Sequence, residues 1–251
     1  YWLRHASLAP TAKIQNQINS TLDKIQQFAE DIHQKKIKPQ KSAQFRNVLS
    51  LGMGGSALGP QLIHSALGAQ KESMRFYFID NTDPDGIDRV IASIGEGLAE
   101  TLILIISKSG GTLETRNAML EVRECCSSAG LDFARHAVAV SEENSQLAQL
   151  ASRENWLGNF PIWDWVGGRT SILSTVGLLP AALLGENIRN LLNGAKIMDE
   201  LTRGTKIKDN PAAILAWMLH HAGRGRGKKA MVILPYKDRL IYLSPYVQQL
   251  V

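Results

Sequence analysis

Residues 49–60 read Leu-Ser-Leu-Gly-Met-Gly-Gly-Ser-Ala-Leu-Gly-Pro, and residues 105–115 read Ile-Ile-Ser-Lys-Ser-Gly-Gly-Thr-Leu-Glu-Thr. Each stretch follows an apolar run typical of a β-strand, passes through a loop rich in Gly, Ser and Thr, and opens a helical pattern. A parallel α/β sheet builds anion sites in this way, because helix N-terminal N–H groups, small residues and hydroxyls converge on the ligand. Two such loops predict a phosphorylated ligand that is held from two strand ends.

The alternation of strand and helix patterns around these loops indicates an α/β fold. Strands are predicted at Arg46–Leu51, Arg75–Ile79, Thr101–Ile106 and Arg135–Val140, and helices at Leu58–Leu67, Asp85–Ile94, Thr112–Ser127 and Asn144–Arg153. The apolar run at 101–106 is continuous, as expected of a central parallel strand that is buried on both faces. We predict a three-layer αβα domain with a doubly wound parallel sheet over about residues 45–160.

The segments outside this sheet are mostly helical in pattern. Helices are predicted over residues 11–36, 171–184, 187–203, 210–223 and from Leu240 onward, with a strand at Lys229–Leu234. The predicted organisation is an N-terminal helical segment (1–44), a first α/β domain (45–165), a helical connection with a Gly-Gly-Arg loop (166–228) and the start of a second α/β domain (229–251). Because the last helix carries no stop signal, we expect the chain to be a fragment of a longer one.

Composition narrows the class of protein. The chain has 251 residues, a formal net charge of +5 and 44% hydrophobic residues, and no apolar run approaches the ~18 residues of a membrane span. No signal-peptide pattern is present, and the adjacent Cys125 and Cys126 form no disulfide framework, which favours the cytoplasm. The basic stretch at 224–229 has no interleaved aromatic residues, so we expect a solvated loop and neither nucleic acid nor membrane as a partner.

Two interpretations of the glycine-rich loops compete. Gly52-x-Gly54-x-x-Ala57, with Asp80 at the end of the next strand, fits the dinucleotide fingerprint and leaves a nicotinamide-dependent dehydrogenase open. The residues at 107–112 have no role in that fingerprint but suit a phosphate cup. There the side chains of Ser107, Ser109 and Thr112 would donate hydrogen bonds, Gly110 and Gly111 would bring backbone amides close, and Lys108 would add charge or lie on the rim.

Arg169 is the strongest single candidate for a catalytic residue. It follows two glycines at the start of a helical pattern in an aromatic surround, where a guanidinium can stabilise a developing oxyanion. Glu114 is interpreted as a favourable charge at a helix N-terminus. The cluster at 81–86 is interpreted as turn and capping residues. His220 and His221 lack metal-ligand spacing, so packing is favoured for them and no metal is predicted.

Six blocks along the chain resemble the phosphoglucose isomerase family, especially its bacterial and cyanobacterial members. The blocks, in family order, are residues 51–60, 78–90, 106–117, 164–171, 234–238 and 246–251. The resemblance implies a sugar isomerase (SIS) fold with the start of a second SIS subdomain. It also implies interconversion of glucose 6-phosphate and fructose 6-phosphate through a cis-enediol, without a cofactor, in a cytoplasmic protein whose full-length parent is a homodimer.

The resemblance assigns roles position by position. Gly55 and Ser56 would border the sugar phosphate, and residues 107–112, Lys108 included, would bind its phosphate. Gly168 and Arg169 would lie at the reacting carbons, and Gln249 would reach the phosphate side of the substrate. The family's catalytic Glu would follow Val251, with its His and Lys further on, so the 251-residue chain is expected to be nearly inactive. A non-catalytic SIS-type sugar-phosphate-binding module remains an alternative.

Overall fold

Five parallel strands form one sheet at the centre of the structure. The computed structural model describes residues 2–68 and 74–251. Tyr1, part of the predicted N-terminal segment, and residues 69–73, part of the predicted first α/β domain, lie outside the described residues. The strands are β1 (Asn47–Gly52), β2 (Arg75–Ile79), β3 (Thr101–Ile106), β4 (Ala137–Ser141) and β5 (Gly158–Pro161), in the order β2-β1-β3-β4-β5. The predicted α/β class and doubly wound parallel sheet are confirmed.

Nine α-helices surround or follow the sheet in the described residues. They are α1 (Ala12–His33), α2 (Gly55–Leu67), α3 (Pro84–Ile94), α4 (Leu113–Ser128), α5 (Gln146–Arg153), α6 (Thr175–Leu183), α7 (Ile188–Thr202), α8 (Pro211–Ala222) and α9 (Leu243–Leu250). Side-chain caps set several of the starts: Thr11 accepts a hydrogen bond from the backbone N–H of Ile14, and Ser145 from that of Ala148. Among the described residues, no helix combines the length and apolar character of a bilayer span.

The alternation of side chains along each strand divides the core in two. Val48, Leu102 and Val138 face a cluster that contains α1, α2 and α6, whereas Leu49 and Ile103 face a cluster that contains α3, α4 and α5. Crossovers between parallel strands are right-handed, so the three successive crossovers from β2 to β5 place α3, α4 and α5 on one face. The crossover from β1 to β2 places α2 on the other face, where α1 and α6 also pack against the sheet.

The strand order creates a crevice above the carboxyl ends of β1 and β3. After β1 the chain moves to one neighbour, β2, and then returns past β1 to its other neighbour, β3. Ligands of open α/β sheets bind at such a switch point. Gly52 and Ile106 are paired in register at the ends of these strands. Both glycine-rich loops therefore start side by side at this crevice.

Two strand predictions need correction. The sequence analysis missed β5, because its four residues, Gly-Asn-Phe-Pro, offer only one large apolar side chain. The predicted strand at Lys229–Leu234 is wrong: no strand of the described residues pairs with it, and Val232 is 72% exposed. A strand needs a neighbour for its backbone groups. The predicted domain boundaries, including a second domain that starts at residue 229, stay predictions.

Two predicted helices differ from the observed ones at their first turns. The helix expected at 171–184 divides into a 3₁₀ helix, Gly168–Leu173, and α6. Ser174 separates them, because its hydroxyl accepts from the N–H of Val176 and caps α6. The helix expected from Leu240 likewise starts as the 3₁₀ helix Asp238–Leu240 before α9.

Candidate functional site

The first glycine-rich loop turns sharply from β1 into α2. A side chain at Gly52 would place its Cβ 2.7 Å from the carbonyl oxygen of Ser56, and Gly54 has φ +56°, a left-handed conformation that favours glycine. Gly54 precedes α2 and supplies no side-chain cap, which leaves the first backbone N–H groups of that helix without a side-chain acceptor. The N–H groups of Ser56, Ala57 and Leu58 donate to carbonyl oxygens of the turn itself at 2.8–3.0 Å, which leaves the N–H of Gly55 for a ligand at the switch point.

Gly55 brings the segment that carries Arg169 against this loop. A Cβ on Gly55 would overlap the carbonyl group of Gly168 and would lie 3.2 Å from the Cα of Arg169. The turn is held by Ser171, whose hydroxyl donates to the carbonyl oxygen of Gly168 at 2.6 Å. The Arg169 side chain is exposed and has no acceptor among the described residues. Its guanidinium is therefore free to bind an anionic ligand.

The second loop has the geometry expected of an anion cup. The hydroxyl of the buried Ser107 donates to the hydroxyl of Thr112 at 3.0 Å, and the N–H of Gly111 donates to the hydroxyl of Ser109 at 3.2 Å. Thr112 stands at the N-cap of α4 without forming a side-chain cap. The first N–H groups of α4 and three hydroxyls thus meet in one short loop, an arrangement that is typical of phosphate sites at helix N-termini.

The glycines of the second loop have different roles. Gly110 has φ +69°, and a Cβ there would lie 2.7 Å from the Cβ of Ser145, so the loop packs tightly against the start of α5. Around Gly111 there is open space within 4 Å. One side of the loop is therefore fixed by packing, while the Gly111 backbone stays accessible to a ligand.

A small cavity of about 100 Å³ beside this loop contains a hydroxyl that the sequence analysis missed. Its wall includes Ser107, Gly110, Thr112 and Thr115, with apolar side chains of β3, α4 and α5. The Thr115 side chain is 3% exposed, and its hydroxyl has no hydrogen-bond partner among the described residues. The cavity has room for about three water molecules. No sequence signal distinguished Thr115 from other threonines in the first turns of helices.

Lys108 contacts protein groups beside the second loop, and Gln249 contacts the first loop. The Lys108 amine donates to the backbone carbonyl of Asp164 at 2.9 Å and lies 3.5 Å from a carboxylate oxygen of Glu142. The side-chain nitrogen of Gln249 lies 2.7 Å from where a Cβ on Gly54 would stand. Gln249 thus reaches the first loop, next to the helix start of α2. Its predicted contact with the substrate's phosphate side stays a prediction.

The helix α9 that carries Gln249 is anchored against α2. The hydroxyl of Ser65 on α2 donates to the carbonyl oxygen of Arg239 at 2.9 Å, just before α9. Burial raises the pKa of the Tyr246 phenol on the same helix, so this side chain stays neutral at physiological pH. α9 therefore meets the crevice with uncharged groups.

The remaining sequence candidates do not gather at this crevice. Glu114 is exposed in the first turn of α4, where a carboxylate favours the helix dipole. His221 stacks on Trp217, with ring centroids 6.0 Å apart, and the described residues contain no cluster of His, Cys, Asp and Glu side chains suited to a metal. Asp80 accepts a hydrogen bond at 2.8 Å from Gln61, a buried glutamine on α2. The Asp80 carboxylate is thus already engaged, which counts against a dinucleotide ribose there.

A comparison with protein-family models decides the family. The model described as phosphoglucose isomerase matches residues 6–251. This chain belongs to the phosphoglucose isomerase family. The suspected resemblance is confirmed, and the two glycine-rich loops are phosphoglucose isomerase loops.

Curated phosphoglucose isomerase relatives match the whole chain. It is 55% identical over 252 residues to the glucose-6-phosphate isomerase of Geobacter sulfurreducens and 54% identical over 251 residues to that of Thermosynechococcus vestitus. It is also 54% identical over 253 residues to the chloroplastic glucose-6-phosphate isomerase 1 of Arabidopsis thaliana. All three alignments cover 100% of this chain but 48%, 47% and 41% of the respective relatives. The chain thus spans about half the length of the curated relatives it matches.

Solved structures show the same fold. The structure of a glucose-6-phosphate isomerase from Chlamydia trachomatis superposes with a TM-score of 0.86 at 27% identity, covering 98% of this chain and 47% of that one. A hypothetical protein from Thermus thermophilus superposes with a TM-score of 0.75 at 29% identity, covering 92% of this chain and 52% of that one. The phosphoglucose isomerase fold therefore extends over almost the entire chain.

Proposed function

We propose that this chain forms the phosphate-binding part of a glucose-6-phosphate isomerase, which interconverts D-glucose 6-phosphate and D-fructose 6-phosphate through a cis-enediol in glycolysis and gluconeogenesis. The contact between Gly55 and Gly168 carries the proposal, because it brings the unpaired Arg169 against the crevice where the two loops begin. A phosphorylated sugar fits this arrangement, since one end of it is a dianion and the other develops negative charge during the reaction.

The substrate's phosphate group binds at the second loop. The hydroxyls of Ser107, Ser109 and Thr112 and the first N–H groups of α4 are its ligands, helped by the positive end of the α4 dipole, and the open space at Gly111 lets the anion approach. Gly55 and Ser56 border the sugar from the end of β1. Gln249 adds a polar side chain at the same loop.

Arg169 and Gly168 face the reacting carbons. Isomerisation moves a proton between C1 and C2 and places negative charge on oxygen in the enediolate intermediate. A guanidinium that is not paired with a carboxylate stabilises such an oxyanion more strongly than it stabilises the neutral substrate. Arg169 meets this condition among the described residues.

The proton itself requires a base that is shielded from water. Glu114 is exposed, and its position fits a helix-dipole role. The family resemblance instead implies a Glu directly after Val251, and a His and a Lys for ring opening further on. Half the length of the curated relatives lies outside the present match. The 251-residue polypeptide thus binds the sugar phosphate and turns it over very slowly.

Partners and location follow from the same proposal. A protein of the relatives' length acts as a homodimer in the cytoplasm and binds neither nucleic acid nor a membrane surface. The basic stretch Arg224–Lys229 supports the exclusion of nucleic acid, because it is exposed and has no aromatic side chains between its charges on which bases could stack. No cofactor takes part in the proposed reaction.

A second candidate function is a non-catalytic module that senses sugar phosphates. The observation in its favour is that the hydroxyls of the second loop and the close approach of the first loop to Arg169 serve binding alone equally well. Its distinguishing property is that adding the C-terminal half of a relative would produce no isomerase activity.

The test is a coupled assay of fructose 6-phosphate conversion. It compares the 251-residue chain with a version that is extended to the relatives' length, and calorimetry measures binding of fructose 6-phosphate, with fructose as the control. We expect fructose 6-phosphate to bind to both, activity only in the extended form, and a loss of about 10²–10³ in kcat for Arg169→Ala. An extended protein without activity would favour the sensor, and failure to bind fructose 6-phosphate would refute both functions.

A further inference from the structure

The side chain of Lys108 joins the phosphate loop to two other loops at the same edge of the sheet. Its amine donates to the carbonyl oxygen of Asp164 at 2.9 Å and lies 3.5 Å from the carboxylate of Glu142. The backbone doubles the second link, because the N–H of Glu142 donates to the carbonyl oxygen of Lys108 at 2.9 Å. One lysine thus connects the loops that follow β3, β4 and β5.

The Asp164 end of this link leads directly to Arg169. Asp164 is flanked by Trp163, which is 8% exposed, and by Trp165; the two rings stack with centroids 5.1 Å apart. The Asp164 carboxylate accepts from the N–H of Trp165 at 2.8 Å, and the N–H of Val166 donates to the carbonyl oxygen of Trp163 at 3.0 Å. These contacts hold residues 163–166 together, and the chain continues from Val166 into the next turn, where the N–H of Thr170 donates to the carbonyl oxygen of Gly167 at 3.1 Å. Only a short, hydrogen-bonded stretch therefore separates the Asp164 carbonyl from Arg169.

The engaged amine argues against direct binding of phosphate by Lys108. The amine donates to a carbonyl oxygen and lies beside a carboxylate that offsets its charge, so at most one of its three N–H donors is left for an anion. The cup already has hydroxyls and free helix N–H groups of its own. Lys108 therefore binds other parts of the protein, whereas the other polar residues of its loop are available to bind the phosphate.

We propose that Lys108 is a positioning residue, which ties the phosphate loop to the Asp164 segment and so fixes the separation between the bound phosphate and Arg169. This inference rests on the proposed function, because it concerns a ligand that spans both groups. A hexose phosphate spans them, whereas inorganic phosphate occupies the cup alone. The two ligands therefore separate a positioning role from a direct contact.

The first measurement compares both ligands on the folded 251-residue chain by calorimetry. For Lys108→Met we expect the affinity for fructose 6-phosphate to fall about tenfold, because the preorganised spacing is lost, and the affinity for inorganic phosphate to change less than about twofold. Lys36→Met is the matched control, since it removes a lysine that forms an ion pair with Asp31 on α1. It should change neither affinity.

A double-mutant cycle supplies the second measurement. If Lys108 acts through Arg169, the Arg169→Ala change weakens fructose 6-phosphate binding much less in the Lys108→Met background than in the wild type. Glu142→Gln is the milder variant in case Lys108→Met unfolds the chain. It keeps a polar group at position 142 but removes the charge, and we expect it to weaken fructose 6-phosphate binding about threefold while leaving inorganic phosphate unaffected.

Three results would overturn the inference. Equal losses for both ligands in Lys108→Met, with tighter phosphate binding in Glu142→Gln, would make Lys108 a phosphate ligand. Additive effects of Lys108→Met and Arg169→Ala would show that the two residues act independently, and unchanged affinities would show that the link has no role in binding. Failure of the wild-type chain to bind either ligand is a separate outcome, because it refutes the proposed function and with it the positioning role.

Discussion

At the residue scale, the close approach of two backbones decides how the site is built. Gly55 lies so near Gly168 that no side chain fits between them, and the Cα of Arg169 lies 3.2 Å from the position of a Cβ. Glycine is required here for space, since the φ of Gly55 is not in the left-handed region. The distance between the first loop and Arg169 thus depends on a missing methyl group.

A methyl group at Gly55 should separate these segments. We expect Gly55→Ala to destabilise the chain by about 1–3 kcal/mol, because overpacking displaces backbone that cannot rotate away. It should also weaken fructose 6-phosphate binding. Urea unfolding and calorimetry measure the two effects.

Gly194 in α7 is the matched control for this change, since nothing lies within 4 Å of its missing Cβ. Gly194→Ala should stabilise the chain by up to about 1 kcal/mol through helix propensity. A Gly55→Ala protein as stable as the wild type would contradict the packing argument.

A buried histidine should make the fold sensitive to mild acid. His136 has no exposed surface, and its Nδ1–H donates to the carbonyl oxygen of Thr101 at 2.9 Å, while Nε2 has no partner among the described residues. Burial lowers the pKa of His136 and outweighs the opposing effect of the hydrogen bond to Thr101. Below about pH 6.5 the unfolded chain therefore binds more protons than the folded one, so stability falls as the pH drops towards the lowered pKa.

Urea unfolding at pH 7.5, 6.0 and 5.0 checks this prediction. The free energy of unfolding of the wild type should decrease over this interval, and that of His136→Gln should decrease less, because an amide does not titrate. The pKa of Asp199 is lowered as well: burial raises it, but hydrogen bonds from Arg4 and Arg203 outweigh that effect. That carboxylate contributes stability which is lost only at still lower pH. Equal slopes for both proteins above pH 5 would count against His136 as the source.

At the scale of elements, α1 is part of the sheet domain although it precedes the first strand by more than a dozen residues. The crossovers leave the β3–β5 half of one sheet face without a helix, and α1 and α6 fill that space. Ile18, Ile25 and Ile32 on α1 are at most 2% exposed. α1 therefore packs as part of the layer on this face of the sheet, while the predicted boundary at residue 44 stays a prediction.

A cavity under α1 tests that conclusion. Ile25 has no exposed surface, so Ile25→Ala should lower the free energy of unfolding by about 2–5 kcal/mol in a single cooperative transition. Asn19→Ala, on the exposed side of the same helix, should stay within about 0.5 kcal/mol of the wild type. Separate unfolding of α1 before the sheet would show that it is an independent segment.

Local patterns predicted the elements whose neighbours are close in sequence. The apolar runs indicated β1 to β4, and the glycine-rich stretches indicated the two turns from strand into helix, because strand, turn and helix follow one another within a few residues. β5 and the failed strand at 229–234 depend on which distant backbone is available for pairing. The contacts of Gly55 with Gly168 and of Lys108 with Asp164 join residues far apart in the chain, so no spacing pattern revealed them.

At the scale of the whole molecule, apolar surface is distributed unevenly. α6 is buried along its entire length, whereas α8 has no buried residue. Leu215, Trp217 and Met218 on α8 are each more than half exposed, and Val232 and Tyr236 further along the chain are exposed as well. Apolar surface of this kind promotes association.

We expect the 251-residue chain to self-associate at micromolar concentration and to bind a hydrophobic dye. The double variant Leu215→Glu/Met218→Glu should lower the association constant at least about tenfold in sedimentation experiments while its affinity for fructose 6-phosphate stays the same. The control pair is Asn16→Glu/Asn19→Glu, which adds the same charge at exposed positions of α1. A wild-type chain that remains monomeric throughout would contradict the prediction.

The contact between Gln249 and Gly54 can form only late in biosynthesis. About 195 residues separate these two partners, although their atoms meet at one loop. At a synthesis rate of about 5–20 residues per second, the ribosome delivers Gln249 roughly 10–40 s after Gly54. During that interval the nascent chain can pair its five strands and form the second glycine-rich loop, whereas the first loop still lacks its contact with Gln249. A cell that synthesises this protein can thus complete the loop at residues 107–112 well before the loop at residues 52–56 gains its last contact, which requires α9 to have emerged.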